Sequence, residues 1–150
     1  MSYRISLMHQ AGALRSYFPG STVTRSGEQG LAWEGWVQPT SLSPLYKLRL
    51  TYSRKTGVGV FVISPKLKLA KGKTKLPHVY STPNQKLCLY YPVEREWDPS
   101  MFFVKTILPW ATDWLYYYEH WLLTDGEWLG GGIEHDDPEQ EGTNEGDHLT

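Results

Sequence analysis

Three stretches rich in β-branched and aromatic residues, 31–38, 45–52 and 58–64, follow one another with separators of only a few residues, and that spacing constrains the fold more than any other feature. Parallel neighbours need a crossover of about a dozen residues or more, so the three are expected to pair as an antiparallel meander. The alternation of Tyr46, Leu48, Leu50 and Tyr52 gives the middle one a single apolar face. Turn-forming residues fill the gaps, Pro39 to Pro44 in the first and Arg54-Lys55-Thr56-Gly57 in the second.

Helical patterns flank this block. Over residues 4–17, Ile5, Met8, Leu14 and Tyr17 fall on one predicted helical face, which Pro19-Gly20 should end. Toward the other end, Pro109 is expected to start a helix whose stripe of Trp110, Trp114, Tyr117, Tyr118 and Trp121 reads as core, with Asp125-Gly126 as its stop. A turn over residues 128–132 should close the folded body. Between them, residues 66–86 are rich in Lys, Pro and Gly and read as an irregular surface excursion with one short strand at 67–69. The class is therefore α+β, and 150 residues suffice for one domain with its own core.

Charge divides the chain unevenly. Residues 134–150 hold seven acids and no Lys or Arg, so 1–133 is expected to be the folded domain and 134–150 an acidic disordered tail. Nine bases lie between Lys47 and Lys75 with no acid among them. Such a band can attract an acidic partner, nucleic acid or the tail, but alternating strand positions and the lack of a recognised motif make it a solvated face, and nucleic acid an improbable partner. No run of eighteen apolar residues is present and the first residues lack a secretory pattern, so a cytoplasmic protein with no membrane span is expected.

Cys88 is the single cysteine, which excludes an intramolecular disulfide and a zinc site with several thiolates. His78, Cys88, His120 and His135 lack ligand spacing, and neither a metal nor another cofactor is expected. By itself Cys88 is either a small buried hydrophobe or a nucleophile.

Its surroundings are Pro77-His78-Val79-Tyr80, then Leu87-Cys88-Leu89 and Trp97-Asp98-Pro99. This segment resembles the active-site region of ubiquitin-conjugating (E2) enzymes, with a histidine ten positions before a cysteine held as Leu-Cys-Leu and a Trp-x-Pro element after it. Ser43-Pro44-Leu45-Tyr46 is similar to the family's entry into its second strand, and the likeness covers about residues 31–123. The run Leu108-Pro109-Trp110, Trp114-Leu115, Tyr118-Glu119, Trp121 and Gly126-Glu127-Trp128-Leu129-Gly130 is similar to small bacterial E2-like proteins of antiphage CBASS-type systems.

The resemblance implies an E2 (UBC)-like fold: an N-terminal helix, an antiparallel β-meander, a loop bearing the active-site cysteine and a C-terminal aromatic-rich helix. It implies an E2-like cysteine acyltransferase in which Cys88 carries the C-terminus of a partner as a thioester and passes it to an amine or other nucleophile. The implied partners are a cGAS-like nucleotidyltransferase or a ubiquitin-like protein, with loading by a separate activating enzyme. A noncatalytic module that regulates the nucleotidyltransferase by docking is the alternative.

Two departures bear on the site residues Cys88, His78 and Tyr80. Pro77 precedes His78 instead of following it, and Tyr80 stands where the family has an asparagine that supports the loop or the oxyanion. Tyr80 could donate one hydrogen bond in its place, and Asn84 offers another amide. His78 is open to two roles, a staple holding the loop beside Cys88 or a base touching the sulfur. Glu94, Glu96 and Asp98 could accept a proton from an incoming amine or be surface charges, with Asp98 a cap for the Pro99 segment.

Overall fold

The computed structural model describes residues 3–90 and 96–130. Its elements run α1 (Leu7–Tyr17), β1 (Thr22–Ser26), β2 (Gly30–Val37), β3 (Tyr46–Ser53), β4 (Gly57–Ser64), β5 (Val79–Ser81), β6 (Lys86–Leu87), a 3₁₀ turn at Phe103–Lys105 and α2 (Ile107–Leu123). One antiparallel sheet has the order β1-β2-β3-β4-β6-β5. The α+β class is as expected, and the meander is longer by β1. That strand pairs Thr22 with Glu34 through Ser26 with Gly30, yet its residues Thr-Val-Thr-Arg-Ser are mostly exposed. An edge strand with one solvated face carries little apolar alternation to announce it.

The inner face of β2, β3 and β4 supplies Leu31, Trp33, Tyr46, Leu48, Leu50, Val60 and Val62 to the core. Ile107, Leu108, Ala111, Trp114, Leu115, Tyr118 and Trp121 of α2 complete it. Only Trp114, Tyr118 and Trp121 of the predicted stripe are buried, while Trp110 and Tyr117 are half-buried at its margin. Aliphatic residues share the buried face, which turns the stripe partly aside. Pro109 sits in the first turn, where a missing N–H costs little, and Gly126 N–H closes the far end on the Trp121 carbonyl at 2.8 Å.

The α1 face needs correction. Met8 and Tyr17 are exposed, and the buried positions are Leu7, Gln10, Ala11 and Leu14, at the i, i+3, i+4, i+7 spacing that follows from an N-cap at Ser6. Gln10 hides the pattern because it is polar. Its side chain donates to the Met101 carbonyl at 2.9 Å and accepts from the Phe103 N–H at 3.0 Å, tying α1 to the approach to α2. Glu28, from the β1–β2 turn, accepts the Leu7 and Met8 N–H groups at 2.7 and 3.2 Å. A carboxylate at the positive end of a helix is favourable, and these bonds, Leu7's foremost, hold Glu28 below its ordinary pKa.

Residues 67–69 form no strand. Gln85 instead clasps this excursion to the sheet: its amide accepts from Leu67 N–H at 2.6 Å and donates to the Val62 carbonyl at 2.8 Å. The excursion then returns through the β5–β6 hairpin. Part of the basic band is neutralised by acids remote in sequence. Lys47 and Arg49 meet Glu34 at 3.7 and 2.6 Å, and Arg54 meets Glu28 at 3.3 Å. Among the described residues no helix is long and apolar enough to cross a membrane, and no cluster of His, Cys, Asp or Glu could hold a metal ion. The expected tail, with His135 and His148, and the 133/134 boundary lie outside the described residues.

Candidate functional site

Regular pairing gives out at β6. Its register with β4 is the single pair Phe61 with Lys86, while β5 pairs Val79 with Leu87 across a bulge. Cys88 follows directly, half-buried, with buried Leu87 before it. Its backbone N–H donates to the His78 carbonyl at 3.1 Å. Its Sγ faces the Tyr90 carbonyl at 3.7 Å.

The His78 carbonyl also accepts the Trp114 indole N–H from α2 at 3.1 Å. One carbonyl thus fixes both the strand that bears the thiol and the helix behind it. His78 has φ 47°, a left-handed conformation uncommon for a residue with a side chain, and that turn brings the carbonyl to these two donors. Its ring is buried and stacks on Trp128, with centroids 5.0 Å apart. Trp128 itself lies 5.8 Å from Trp114 and 5.9 Å from Tyr117.

Tyr80 projects its hydroxyl toward the Tyr90 carbonyl at 3.4 Å, so the phenol and the thiol converge on one oxygen. Burial holds the Tyr90 phenol above its ordinary pKa, and neighbouring Tyr52 and Cys88 push the same way. The Tyr90 ring is lodged among Trp97 and Trp110 at 6.4 and 6.1 Å. Beside this group opens a cleft of about 280 Å³, lined by Val58, Val60, Tyr80, Lys86, Leu89 and Tyr90 among others. Lys86 Nζ stands 5.4 Å from the Tyr80 ring centroid and 5.8 Å from that of Phe61.

The other candidates fall elsewhere. Asn84 is exposed in the β5–β6 turn and lines a separate hollow with Arg49, Phe61 and Lys66. Asp98 accepts from Ser100 N–H at 2.8 Å and from the Ser100 hydroxyl, which closes a local turn and caps no helix, since the next helical turn begins only at Phe103. Trp97 is buried, stacked on Phe103 at 5.3 Å, and donates to Thr106 Oγ1 at 3.1 Å. Glu96 is exposed, and Glu94 lies outside the described residues. His120 is half-buried, and no described residue partners its buried Nε2. Ser43 and Tyr46 both donate to Glu119 of α2, at 2.8 and 2.7 Å, which fastens the start of β3 to that helix. Tyr90, Trp114 and Gln85 were not marked as site residues by the sequence. Only a backbone carbonyl, an indole N–H and a buried amide show their roles, and none of these leaves a motif.

The class defined so far is an α+β domain with an N-terminal helix, an antiparallel sheet and a C-terminal helix, with its single cysteine where the sheet ends. A family model described as "Type II CBASS E2 protein" matches residues 10–136, and the chain belongs to that family of E2-like proteins of CBASS antiviral defence. No curated protein matches the chain.

Proposed function

We propose that the domain is an E2-like cysteine acyltransferase of CBASS, acting in the cytoplasm and carrying the C-terminus of a partner protein as a thioester on Cys88. The observation that carries this reading is the half-buried Cys88 thiol, whose chain neighbours Leu87 and Leu89 line a cleft, with its backbone N–H bonded to the His78 carbonyl and its Sγ and the Tyr80 hydroxyl directed at the Tyr90 carbonyl. The partner is the cGAS-like nucleotidyltransferase or a ubiquitin-like protein, activated by a separate enzyme. Family membership supports work with CBASS components in general.

Cys88 thiolate attacks the activated carbonyl, a C–S bond forms and the activating group leaves. An amine then attacks the same carbon, a C–N bond forms and the thiolate departs. Sulfur serves both steps because it attacks and leaves well, and a few per cent of an ordinary thiol is ionised near neutrality. His78 is a positioning residue on this reading, acting through its backbone carbonyl, which supports the staple role over that of a base. Tyr80 takes the place of the family's asparagine and offers its O–H to the developing oxyanion.

Intact mass spectrometry of the protein recovered with its native partners under nonreducing conditions should find a hydroxylamine-labile adduct that Cys88→Ala abolishes. Persistence of that adduct in Cys88→Ala overturns the assignment. If Cys88→Ser still supports full phage protection, the domain acts by docking alone.

A further inference from the structure

We propose that the acidic segment 134–147 of this same chain docks on a lysine-rimmed apolar groove between α2 and the 66–75 excursion. The inference does not rest on the carrier reading above.

A groove of about 500 Å³ opens where Leu42 and Pro44, from the β2–β3 connection, meet Leu67 of the excursion and Tyr118, Leu122 and Leu123 of α2. Leu42 and Leu123 are the most exposed large apolar side chains among the described residues, at 95% and 86%, and both line it. Lys66 and Lys68 form its rim. The excursion continues to Lys71 and Lys73, and the Lys73 stem lies against Gly126, just past the end of α2.

These lysines differ from much of the basic band. Lys47, Arg49 and Arg54 meet Glu34 and Glu28, whereas no acid among the described residues pairs with Lys66, Lys68, Lys71 or Lys73. Glu119 also lines the groove, but the Ser43 and Tyr46 hydroxyls occupy its two oxygens. The complementary charge is in the sequence itself: residues 134–150 carry seven acids and no Lys or Arg. Ile133 and Leu149 flank those acids and offer apolar groups to set against Leu42 and Leu123.

The reach is sufficient. The described residues end at Gly130, which packs on the Tyr117 ring, and Tyr117 lies only about 9 Å from Leu123 along the axis of α2. Extended chain covers roughly 3.3 to 3.6 Å per residue, so Glu134 to Glu141 can pass around a helix about 10 to 12 Å wide and meet the lysines. Each exposed ion pair is weak. A tether raises the local concentration of the acids, so that several weak pairs act together.

The test uses the full chain. An equimolar mixture of ordinary and ¹⁵N-labelled protein is treated with a carbodiimide that joins carboxylates to amines, then digested and read by mass spectrometry. Expected are links within one isotopic form, from the acids of 134–147 to Lys66, Lys68, Lys71 or Lys73, at least threefold fewer at about 500 mM than at about 20 mM salt. The second measurement is the acetylation rate of each lysine by an N-hydroxysuccinimide ester in a variant carrying Glu134→Gln, Asp136→Asn, Asp137→Asn, Glu139→Gln, Glu141→Gln, Glu145→Gln and Asp147→Asn. A carboxylate favours the charged ammonium, so its removal should speed acetylation of the four lysines at least threefold at low salt, with Lys55, in the distant β3–β4 turn, unchanged. Links between isotopic forms would replace the proposal with contact between two copies. Links mainly to other lysines, unchanged rates at the four, or an equal rise at Lys55 would also overturn it.

Discussion

The β1–β4 meander and the segment that carries Cys88 belong to one sheet but are held in different ways. In the meander, β2 and β3 pair continuously from Gly30 with Ser53 to Val37 with Tyr46, and each rung repeats the same backbone bonds. Around Cys88, β4 meets β6 at one pair, and position depends on a few remote groups: the Gln85 amide, the Trp114 indole and the His78 carbonyl. A ladder distributes its stabilisation, whereas a clasp concentrates it. The thiol is set where the ladder stops, on backbone held by the single bond from Cys88 N–H to the His78 carbonyl instead of by a run of rungs.

If this contrast holds, damage to the ladder and damage to the clasp should separate in two measurements. Leu50 is fully buried at the centre of β3, and Leu50→Ala should lower global stability by about 2–5 kcal/mol in a denaturant titration. The native-state rate of Cys88 alkylation by iodoacetamide should stay within twofold. A large change in that rate would mean that the meander core controls the site directly.

Gln85→Ala should cost less in the titration, about 1–3 kcal/mol, because it strands the buried Leu67 N–H and deprives the Val62 carbonyl of a donor. Its effect on Cys88 should be the greater of the two, with alkylation changing severalfold as the excursion loosens beside β6. An unaltered alkylation rate, with stability lost as expected, removes the clasp from the account of the site.

The same contrast explains what was legible beforehand. Short connections and the alternation of Tyr46, Leu48, Leu50 and Tyr52 announce three meander strands because their signal is local and periodic. Cys88 was legible as a candidate through the resemblance that its spacing from His78 carries. The grip on it was not, because a carbonyl at His78, an indole at Trp114 and an amide at Gln85 act across 10 to 36 positions and leave no periodicity. Gln10 misled for a related reason: a polar residue at a buried helical position pairs with backbone 91 residues away. Likewise, the basic band was read without Glu34 and Glu28, which cross-strand pairing and a turn bring to it.

Glu28 gives the smallest expected effect and sharpens the comparison within the meander itself, since even there one end of α1 depends on a remote side chain. Its carboxylate takes two helix N–H groups and lies near Arg25 and Arg54, and all of these favour the charged form while desolvation opposes it. The folded-state pKa is thus lower than the unfolded one. Stability from this source is complete above the unfolded carboxylate range near ~4.3 and is lost as pH falls through the folded value. Glu28→Gln keeps the shape and one acceptor oxygen but removes the charge, so parent and variant should differ at pH 7 and converge in acid. A gap in denaturant midpoint that stays constant from pH 7 to pH 3 would assign the contribution to shape and hydrogen bonding, because only the charge has a reason to disappear over that window.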